Sequence, residues 1–290
     1  MKKILAICVI LFSLFLFSCD EFIFPFFTTS PNQTTLPISR PNTATGTITV
    51  LSRDFAAYPL HDSDSYGLEI DDYNALLVHT RDLIRQANVS ITATLYEERD
   101  LYPWGPSTSI RAISKGSGII YMQDAEYYYA VTNYHVVDPK GLTPGYEIKT
   151  LEDEGYQEAF LVAGSDSLDL AVIRFRKNSR TDVELIDIQT RAFTKFNEGE
   201  LVLAVGNPQS LENNVTFGVY IGLETISHVN FPVIMHNAPI HEGSSGGALV
   251  DVDGNLLGVN TWGVDQEDTA FAIPNAILYM FLANEGLLPT

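Results

Sequence analysis

Short apolar segments separated by turns fill the chain from Val89 almost to its end, and this pattern constrains the fold more than any other feature. Residues from Val89 to Tyr96 alternate in polarity, which is typical of a β-strand with one buried face. Helical spacing of apolar residues occurs from Asp71 to Ala87 and again near the last residues. The pattern predicts an all-β fold of two β-barrels with a functional site between them, a short N-terminal helix and a short C-terminal helix.

A glycine-rich turn before an apolar strand contains the candidate nucleophile. The turn reads Gly243-Ser244-Ser245-Gly246-Gly247. Small neighbours let the main chain bend sharply and let a substrate carbonyl approach the hydroxyl of Ser245. The N–H groups of Gly243 and Ser245 would then form an oxyanion hole. By itself, the same stretch is equally typical of a flexible loop.

Two upstream residues supply the partners that a serine nucleophile needs. His135 follows the apolar run that begins at Ala130, and Asp169 precedes the apolar run Leu170 to Ile173. An imidazole takes the proton from the serine, and a carboxylate fixes the tautomer of the imidazole. The chain therefore carries the three residue types in the order His, Asp, Ser. Alternatively, His135 is a histidine in the core or on the surface without a catalytic role.

Other acidic residues and histidines are alternative candidates for the functional site. Asp166 and Asp138 are alternatives to Asp169, but the apolar run after Asp169 favours a partly buried carboxylate that needs a hydrogen-bonding partner. The remaining histidines lack metal-ligand spacing, so we expect no metal and no cofactor. The stretch from Asp251 to Asn255 resembles the start of a calcium loop, but its flanking strands and the missing later glutamate favour a hairpin turn.

Five motifs together resemble the HtrA/DegP-like serine proteases, a bacterial branch of the trypsin-fold family. Three of them surround His135, Asp169 and Ser245, and the other two are Ala204-Val205-Gly206-Asn207-Pro208 and Phe271-Ala272-Ile273-Pro274. The resemblance covers about residues 85 to 280 and implies two six-stranded barrels. Ser244 departs from it, because the family usually carries asparagine there, and we expect only a modest effect on the loop.

The resemblance also implies which residues bind substrate. Residues Thr261, Trp262 and Gly263 resemble the strand on which trypsin-like enzymes pair with the substrate backbone. The base of the primary pocket would be formed by Pro239 and Ile240, which carry no charge. We therefore expect apolar residues before the scissile bond, with Asp265 as a charge that could enter from the opposite side.

The N-terminus has the features of an export signal. Residues 1–18 combine two lysines with a short apolar run and predict a lipoprotein signal peptide, and Cys19 stands where lipid is attached. An ordinary cleaved signal or an uncleaved anchor is the alternative. Residues 19–50 predict a lipidated, disordered tether, and residues 51–290 the protease domain, with barrels at about 85–180 and 195–280.

Charge and cysteine content restrict the partners. The chain has a formal net charge of −19, and loss of the two lysines in the signal leaves 15 basic against 36 acidic residues. Such a surface repels nucleic acid phosphates, so we expect no nucleic acid partner. The two cysteines, Cys8 and Cys19, lie in or beside the signal, so no disulfide stabilises the domain.

These observations predict an exported serine endopeptidase, anchored to the bacterial cell membrane by lipid, that cleaves unfolded or misfolded polypeptides through an acyl-enzyme. The alternative belongs to a different functional class: a catalytically silent or latent protease fold that binds peptides or acts as a chaperone. The aromatic residues 22–27 lie in the membrane interface or pack between subunits of a homotrimer, as in trimeric relatives. The chain ends near the end of the expected catalytic domain, so we expect no PDZ domain.

Overall fold

A computed structural model of the chain describes residues 36–38, 48–50, 70–101, 105–153, 155, 157–178, 183–189, 191, 197–208, 212–226, 229–264 and 269–289. The predicted signal peptide, Cys19, the aromatic residues 22–27 and Asp265 lie outside these residues. Within the predicted tether, β1 (Leu36–Ile38) pairs antiparallel with β2 (Ile48–Val50). The prediction of a disordered tether did not include this short pairing of two strands.

The first barrel is a closed antiparallel sheet of six strands in the order β3-β4-β5-β8-β7-β6. Its strands are β3 (Asn88–Leu101), β4 (Gly105–Gln123), β5 (Tyr127–Thr132), β6 (Thr143–Lys149), β7 (Gln157–Ser165) and β8 (Leu170–Arg176). Alternate residues along these strands fill the barrel interior, among them Ile91, Ile148 and Phe175. Alternation in the sequence is thus the cause of this core.

The second barrel is also closed and has the strand order β10-β11-β14-β13-β12-β9. Its strands are β9 (Leu201–Gly206), β10 (Asn214–Glu224), β11 (Val233–His236), β12 (Ala248–Asp251), β13 (Leu256–Val264) and β14 (Thr269–Pro274). Val202, Leu249 and Leu257 are buried in its interior. The predicted all-β fold of two six-stranded barrels is confirmed.

In the described part of the chain, three helices accompany the barrels: α1 (Ile70–Gln86), the single turn α2 (Tyr134–Val137) and α3 (Asn275–Asn284). Leu76 and Ile84, which the helical spacing singled out, are buried in a core that also contains residues of both barrels and of α3. No helix in the described residues is both long enough and apolar enough to cross a membrane. The predicted N-terminal and C-terminal helices both contribute apolar residues to this core.

Local turn chemistry closes two of the hairpins. The carboxylate of Asp124 accepts hydrogen bonds from the main-chain N–H groups of Glu126 and Tyr127, both at 2.7 Å, and closes the β4–β5 hairpin. Gly254 has a φ of +84° in the β12–β13 turn, a conformation that suits glycine. The carboxylate of Asp251 caps this turn by accepting from the N–H of Asn255 at 2.9 Å. The prediction of a hairpin turn at residues 251–255 is confirmed.

The hairpin of β3 and β4 is longer than its sequence suggests. Beyond Tyr96, β3 has left its neighbour β6 and pairs only with β4, as far as Gly105. This extension carries polar and charged residues on both faces, so it lacks the alternation by which strands are recognised. Glu97 forms one ion pair with Arg99 on the same strand and another with Arg111 across the ribbon. This segment is therefore stabilised by cross-strand pairing and not by burial of apolar side chains.

Candidate active site

The helical turn α2 positions His135 directly after the central strand β5. Val136 and Val137, which follow it, are buried in the first barrel, so the histidine is fixed at the barrel rim. Its side chain remains 45% exposed. Its Nδ1 atom lies 3.0 and 2.9 Å from the two carboxylate oxygens of Asp169. The other ring nitrogen therefore faces away from the acid and is available for proton transfer.

Asp169 occupies an unusual backbone position at the start of β8. Its φ is +52°, in the left-handed region that only a few non-glycine residues adopt. The side-chain amide of Asn133 donates to its carbonyl oxygen at 3.0 Å, and the main-chain N–H of His135 donates to its carboxylate at 3.0 Å. Backbone strain held by surrounding hydrogen bonds is a feature of functional sites.

The competing acids are placed elsewhere. Asp166 is exposed, and its carbonyl oxygen accepts from the N–H of Asp169 at 3.2 Å in the turn before β8. Asp138 accepts from the main-chain N–H of Lys140 at 2.9 Å and closes another turn. Among the described residues, Asp169 is thus the only one of the three whose carboxylate contacts His135.

Thr261 connects the acid to the candidate nucleophile, a contact that the sequence did not reveal. A β-bulge between Asn260 and Trp262 leaves Thr261 without a partner on β14, and such bulges redirect a side chain. The Thr261 hydroxyl donates to Asp169 Oδ2 at 2.9 Å. The Thr261 carbonyl accepts from the hydroxyl of Ser245 at 2.9 Å. One residue therefore holds both the acid and the serine.

The turn that carries Ser245 is fixed by glycine conformations and close backbone packing. Gly243 and Gly246 have φ values of +99° and +90°. A Cβ atom on Gly246 would lie 2.1 Å from the carbonyl oxygen of Ser117, and one on Gly243 would lie 2.4 Å from that of Asn207. These glycines are required by both conformation and space. The flexible-loop alternative does not describe this packed turn.

The main-chain N–H groups of Gly243 and Ser245 donate no hydrogen bond to any described residue. By contrast, the N–H groups of their neighbours Ser244 and Gly247 bond to the carbonyls of His241 and Ser244, at 2.8 and 3.0 Å. Two free donors in a turn that is otherwise bonded are what an oxyanion hole requires. Ser244 is buried, and its hydroxyl accepts from the N–H of His241 at 3.3 Å, so it supports the turn.

The residues predicted to bind substrate lie beside this turn. Ile240 packs against Gly263, since a Cβ atom on that glycine would lie 3.3 Å from Ile240 Cγ1. Pro239 is exposed, and its carbonyl accepts from the hydroxyl of Thr216 at 2.8 Å. Strand β12 pairs with β13 only as far as Val259. The pairing of β13 with β12 therefore ends before Thr261.

Whereas the side chain of His135 is partly exposed, His236 is buried. It is fully buried in the second barrel, and burial lowers its pKa to about 4. The ring is therefore neutral near pH 7, and it lies away from the surface that a substrate can reach. The position of His236 is therefore that of a structural residue.

Comparison with known proteins agrees with this geometry. The family described as the trypsin-like peptidase domain matches residues 116–259. Serine protease Do-like HtrA of Bacillus subtilis is 28% identical over 76% of this chain and 48% of its own length. Serine endoprotease DegS of Salmonella typhimurium is 38% identical over 55% of this chain and 44% of its own length. The chain is therefore HtrA-like and has the fold of the trypsin-like serine proteases.

A solved structure supports the assignment of this HtrA-like chain. The crystal structure of the serine endoprotease from Yersinia pestis aligns with a TM-score of 0.52 and 30% identity, over 73% of this chain and 66% of that one. The HtrA-like chain spans about half the length of the curated relatives it matches. The similarity to these proteins therefore applies to the part of the chain that forms the two barrels and the cleft between them.

Proposed function

We propose that the HtrA-like chain is a serine endopeptidase that acts through an acyl-enzyme, with Ser245 as nucleophile, His135 as general base and Asp169 as the orienting acid. The observation that carries this proposal is the hydrogen-bonded chain from His135 through Asp169 and Thr261 to Ser245. Residues from both barrels contribute to it, and it ends beside two free N–H groups.

In the first half of the reaction, the Ser245 hydroxyl turns from the Thr261 carbonyl to His135 Nε2. The oxygen attacks the substrate carbonyl while its proton passes to Nε2, and Asp169 stabilises the imidazolium through Nδ1–H. The N–H groups of Gly243 and Ser245 bind the oxyanion of the tetrahedral intermediate. This intermediate collapses when Nε2 gives the proton to the leaving amine, and the ester at Ser245 remains.

In the second half, water replaces the amine. His135 takes a proton from the water as its oxygen attacks the ester carbonyl, and the same N–H groups bind the new oxyanion. Collapse breaks the bond to Ser245 Oγ, which recovers its proton from His135, and a carboxylic acid leaves. The histidine thus acts as base and then as acid in each half-reaction.

The geometry favours extended polypeptide as substrate. The edge of β13 from Thr261 to Gly263 offers main-chain groups to which a peptide can add as a further strand. Only an unfolded segment presents its backbone in this way, so we propose unfolded or misfolded polypeptides as substrates. The apolar contact of Ile240 with Gly263, next to Pro239, favours an apolar residue before the scissile bond.

The cellular part of the proposal rests on the N-terminal sequence. The charged head and apolar run of residues 1–18, followed by Cys19, support export and attachment of lipid at that cysteine. Two or more acyl chains then hold the protein at the membrane, since its acidic surface has no attraction for anionic lipids. The family resemblance supports assembly as a homotrimer outside the cytoplasm.

A second candidate function is supported by one specific contact. Ser245 Oγ donates to the Thr261 carbonyl, and in the described residues no hydrogen bond joins it to His135. A latent domain that binds peptides or acts as a chaperone would keep this arrangement. Such a domain would not react with a fluorophosphonate, which labels only an activated serine.

The deciding experiment compares the wild-type chain with Ser245→Ala and Ser244→Ala. We expect wild type and Ser244→Ala to react with a fluorophosphonate probe and to digest casein. Ser245→Ala should not be labelled, and its turnover should fall by several orders of magnitude, about 10⁶-fold in the subtilisin precedent. Equal casein digestion by wild type and Ser245→Ala would exclude the mechanism. Absence of labelling in the folded wild type, with casein bound but intact, would favour the latent alternative.

A further inference from the structure

A polar seam between the barrels contacts the nucleophile turn. Its centre is Ser117, a fully buried residue of β4 in the first barrel. Asn207, which follows β9 of the second barrel, completes it. Neither residue belongs to the catalytic chain described above. Placing a hydroxyl and a carboxamide at this position costs free energy of desolvation unless their polar atoms form hydrogen bonds.

The hydrogen bonds of Ser117 go to two residues of the turn. Its hydroxyl donates to the Gly243 carbonyl at 2.7 Å, and its main-chain N–H donates to the Ser245 carbonyl at 2.7 Å. The hydroxyl also accepts from the main-chain N–H and the side-chain amide of Asn207, at 2.9 and 3.0 Å. One donor and two acceptor positions are thus occupied, which is the full capacity of a hydroxyl.

Asn207 ties the same seam to the first barrel by a second route. Its amide donates to the carbonyl of Val89 on β3 at 2.9 Å, and its Oδ1 accepts from the N–H of Asn213 at 2.9 Å. Its own carbonyl packs against the Cα of Gly243, where a Cβ would approach to 2.4 Å. The turn therefore rests on a surface made by both barrels.

The fixed carbonyls determine where the free N–H groups point. Because a peptide unit is planar and trans, its N–H points opposite to its C=O. The Ser244 carbonyl is held by the N–H of Gly247 at 3.0 Å, which directs the N–H of Ser245 to the cleft. The Ser117 hydroxyl fixes the peptide that follows Gly243, and this limits rotation about the glycine whose N–H is the second donor.

We propose that Ser117 and Asn207 are positioning residues that hold the oxyanion N–H groups of Gly243 and Ser245 in their catalytic orientation across the barrel interface. This inference rests on the proposed endopeptidase function. Neither residue contacts His135 or Asp169 in the described structure. Loss of either should therefore affect stabilisation of the oxyanion without changing the ionisation of the histidine.

Ser117→Ala is the primary test, because it removes the hydroxyl and keeps the main-chain N–H that bonds to Ser245. We expect kcat on a peptide substrate to fall about 10- to 100-fold, less than the loss of an oxyanion donor itself, with KM unchanged within twofold. The acid limb of the pH profile should not move. Asn207→Ala should give a similar fall, and the double variant should lose less than the product of the two falls.

Thr80→Val is the matched control. Thr80 is buried, and its hydroxyl donates to the Val252 carbonyl at 2.6 Å, far from the nucleophile turn. We expect this variant to retain kcat within twofold. A fall in Thr80→Val equal to that in Ser117→Ala, after correction for the folded fraction, would show that any lost buried hydroxyl has this effect and would overturn the proposal.

Amide hydrogen exchange of the peptide that covers residues 241–247 separates this proposal from the endopeptidase proposal. We expect exchange of this segment to accelerate at least tenfold in Ser117→Ala and to stay unchanged in Thr80→Val. Unchanged kcat or unchanged exchange in Ser117→Ala would overturn the positioning role. A wild type without proteolysis or probe labelling would refute the endopeptidase, and faster exchange in Ser117→Ala would still support the seam as the support of the turn.

Discussion

At the scale of single residues, the site depends on how the hydrogen-bond capacity of Asp169 is shared. Its carboxylate accepts from the N–H of His135, from His135 Nδ1 and from the Thr261 hydroxyl. These donors fix the plane of the carboxylate and hence the tautomer of the imidazole. A carboxamide could not accept from all of them, because its nitrogen is a donor.

The sequence contains a matched control for this acid three residues earlier. Asp169→Asn should lower kcat by about 10⁴-fold, as a changed tautomer does in the serine protease precedent. Asp166→Asn should leave kcat within twofold, since Asp166 contributes its main-chain carbonyl and an exposed side chain. Steady-state hydrolysis of a chromogenic peptide measures both. Comparable losses in the two variants would contradict the assignment of Asp169.

At the scale of elements, a buried ion cluster holds the connection between the barrels. Arg191, just before β9, donates to Glu200 and, at 2.9 Å, to Asp251 at the end of β12. All three side chains are almost fully buried. Burial opposes the charged form of the guanidinium, but the two carboxylates outweigh it and raise the pKa of Arg191. The cluster therefore joins the connecting segment to two strands of the second barrel.

Loss of the cation should leave two buried carboxylates without compensation. Arg191→Met should lower the free energy of unfolding by about 3–5 kcal/mol. Lys149→Met is the control, because Lys149 pairs with Glu212, whose side chain is 51% exposed, and the expected loss is about 1 kcal/mol or less. Urea denaturation at pH 7.5 followed by tryptophan fluorescence measures both changes. A loss in Arg191→Met no larger than that in Lys149→Met would contradict a stabilising role of the cluster.

At the scale of the whole molecule, each barrel has its own interior, and a third core includes residues of both barrels together with α1 and α3. The chain carries no cysteine after Cys19, so packing and the polar seam hold the catalytic cleft together without a disulfide. The same cysteine is the proposed attachment point for lipid, which places anchoring and folding in separate parts of the sequence.

Lipid attachment is testable because the chain has two cysteines with different expected roles. Cys19→Ser should abolish metabolic labelling by an alkyne fatty acid and retain the signal peptide, which increases the mass of the protein. Cys8→Ser should be labelled like wild type, since Cys8 lies inside the predicted signal. Labelling that persists in Cys19→Ser, or that disappears in Cys8→Ser, would refute attachment at Cys19.

Much of the fold and part of the candidate site could be predicted from the sequence, because their causes are local. Alternating polarity indicated strands, the turn residues at 251–255 indicated a hairpin, and glycines around Ser245 indicated a sharp turn. The length of the β3–β4 hairpin was not predicted, since Glu97 and Arg111 meet only through strand pairing. The bulge at Thr261 was also missed, because a bulge depends on the register with β14.

The sequence by itself determined that this chain forms two β-barrels and carries His135, Asp169 and Ser245 in order, because backbone preference and side-chain chemistry belong to individual residues. Only the tertiary structure decided that Asp169 rather than Asp166 contacts the histidine, that Thr261 joins acid and serine, and that Ser117 supports the turn. These contacts join residues up to 128 positions apart in the case of Ser117 and Ser245. Such distances along the chain are closed only when both barrels have folded and packed together.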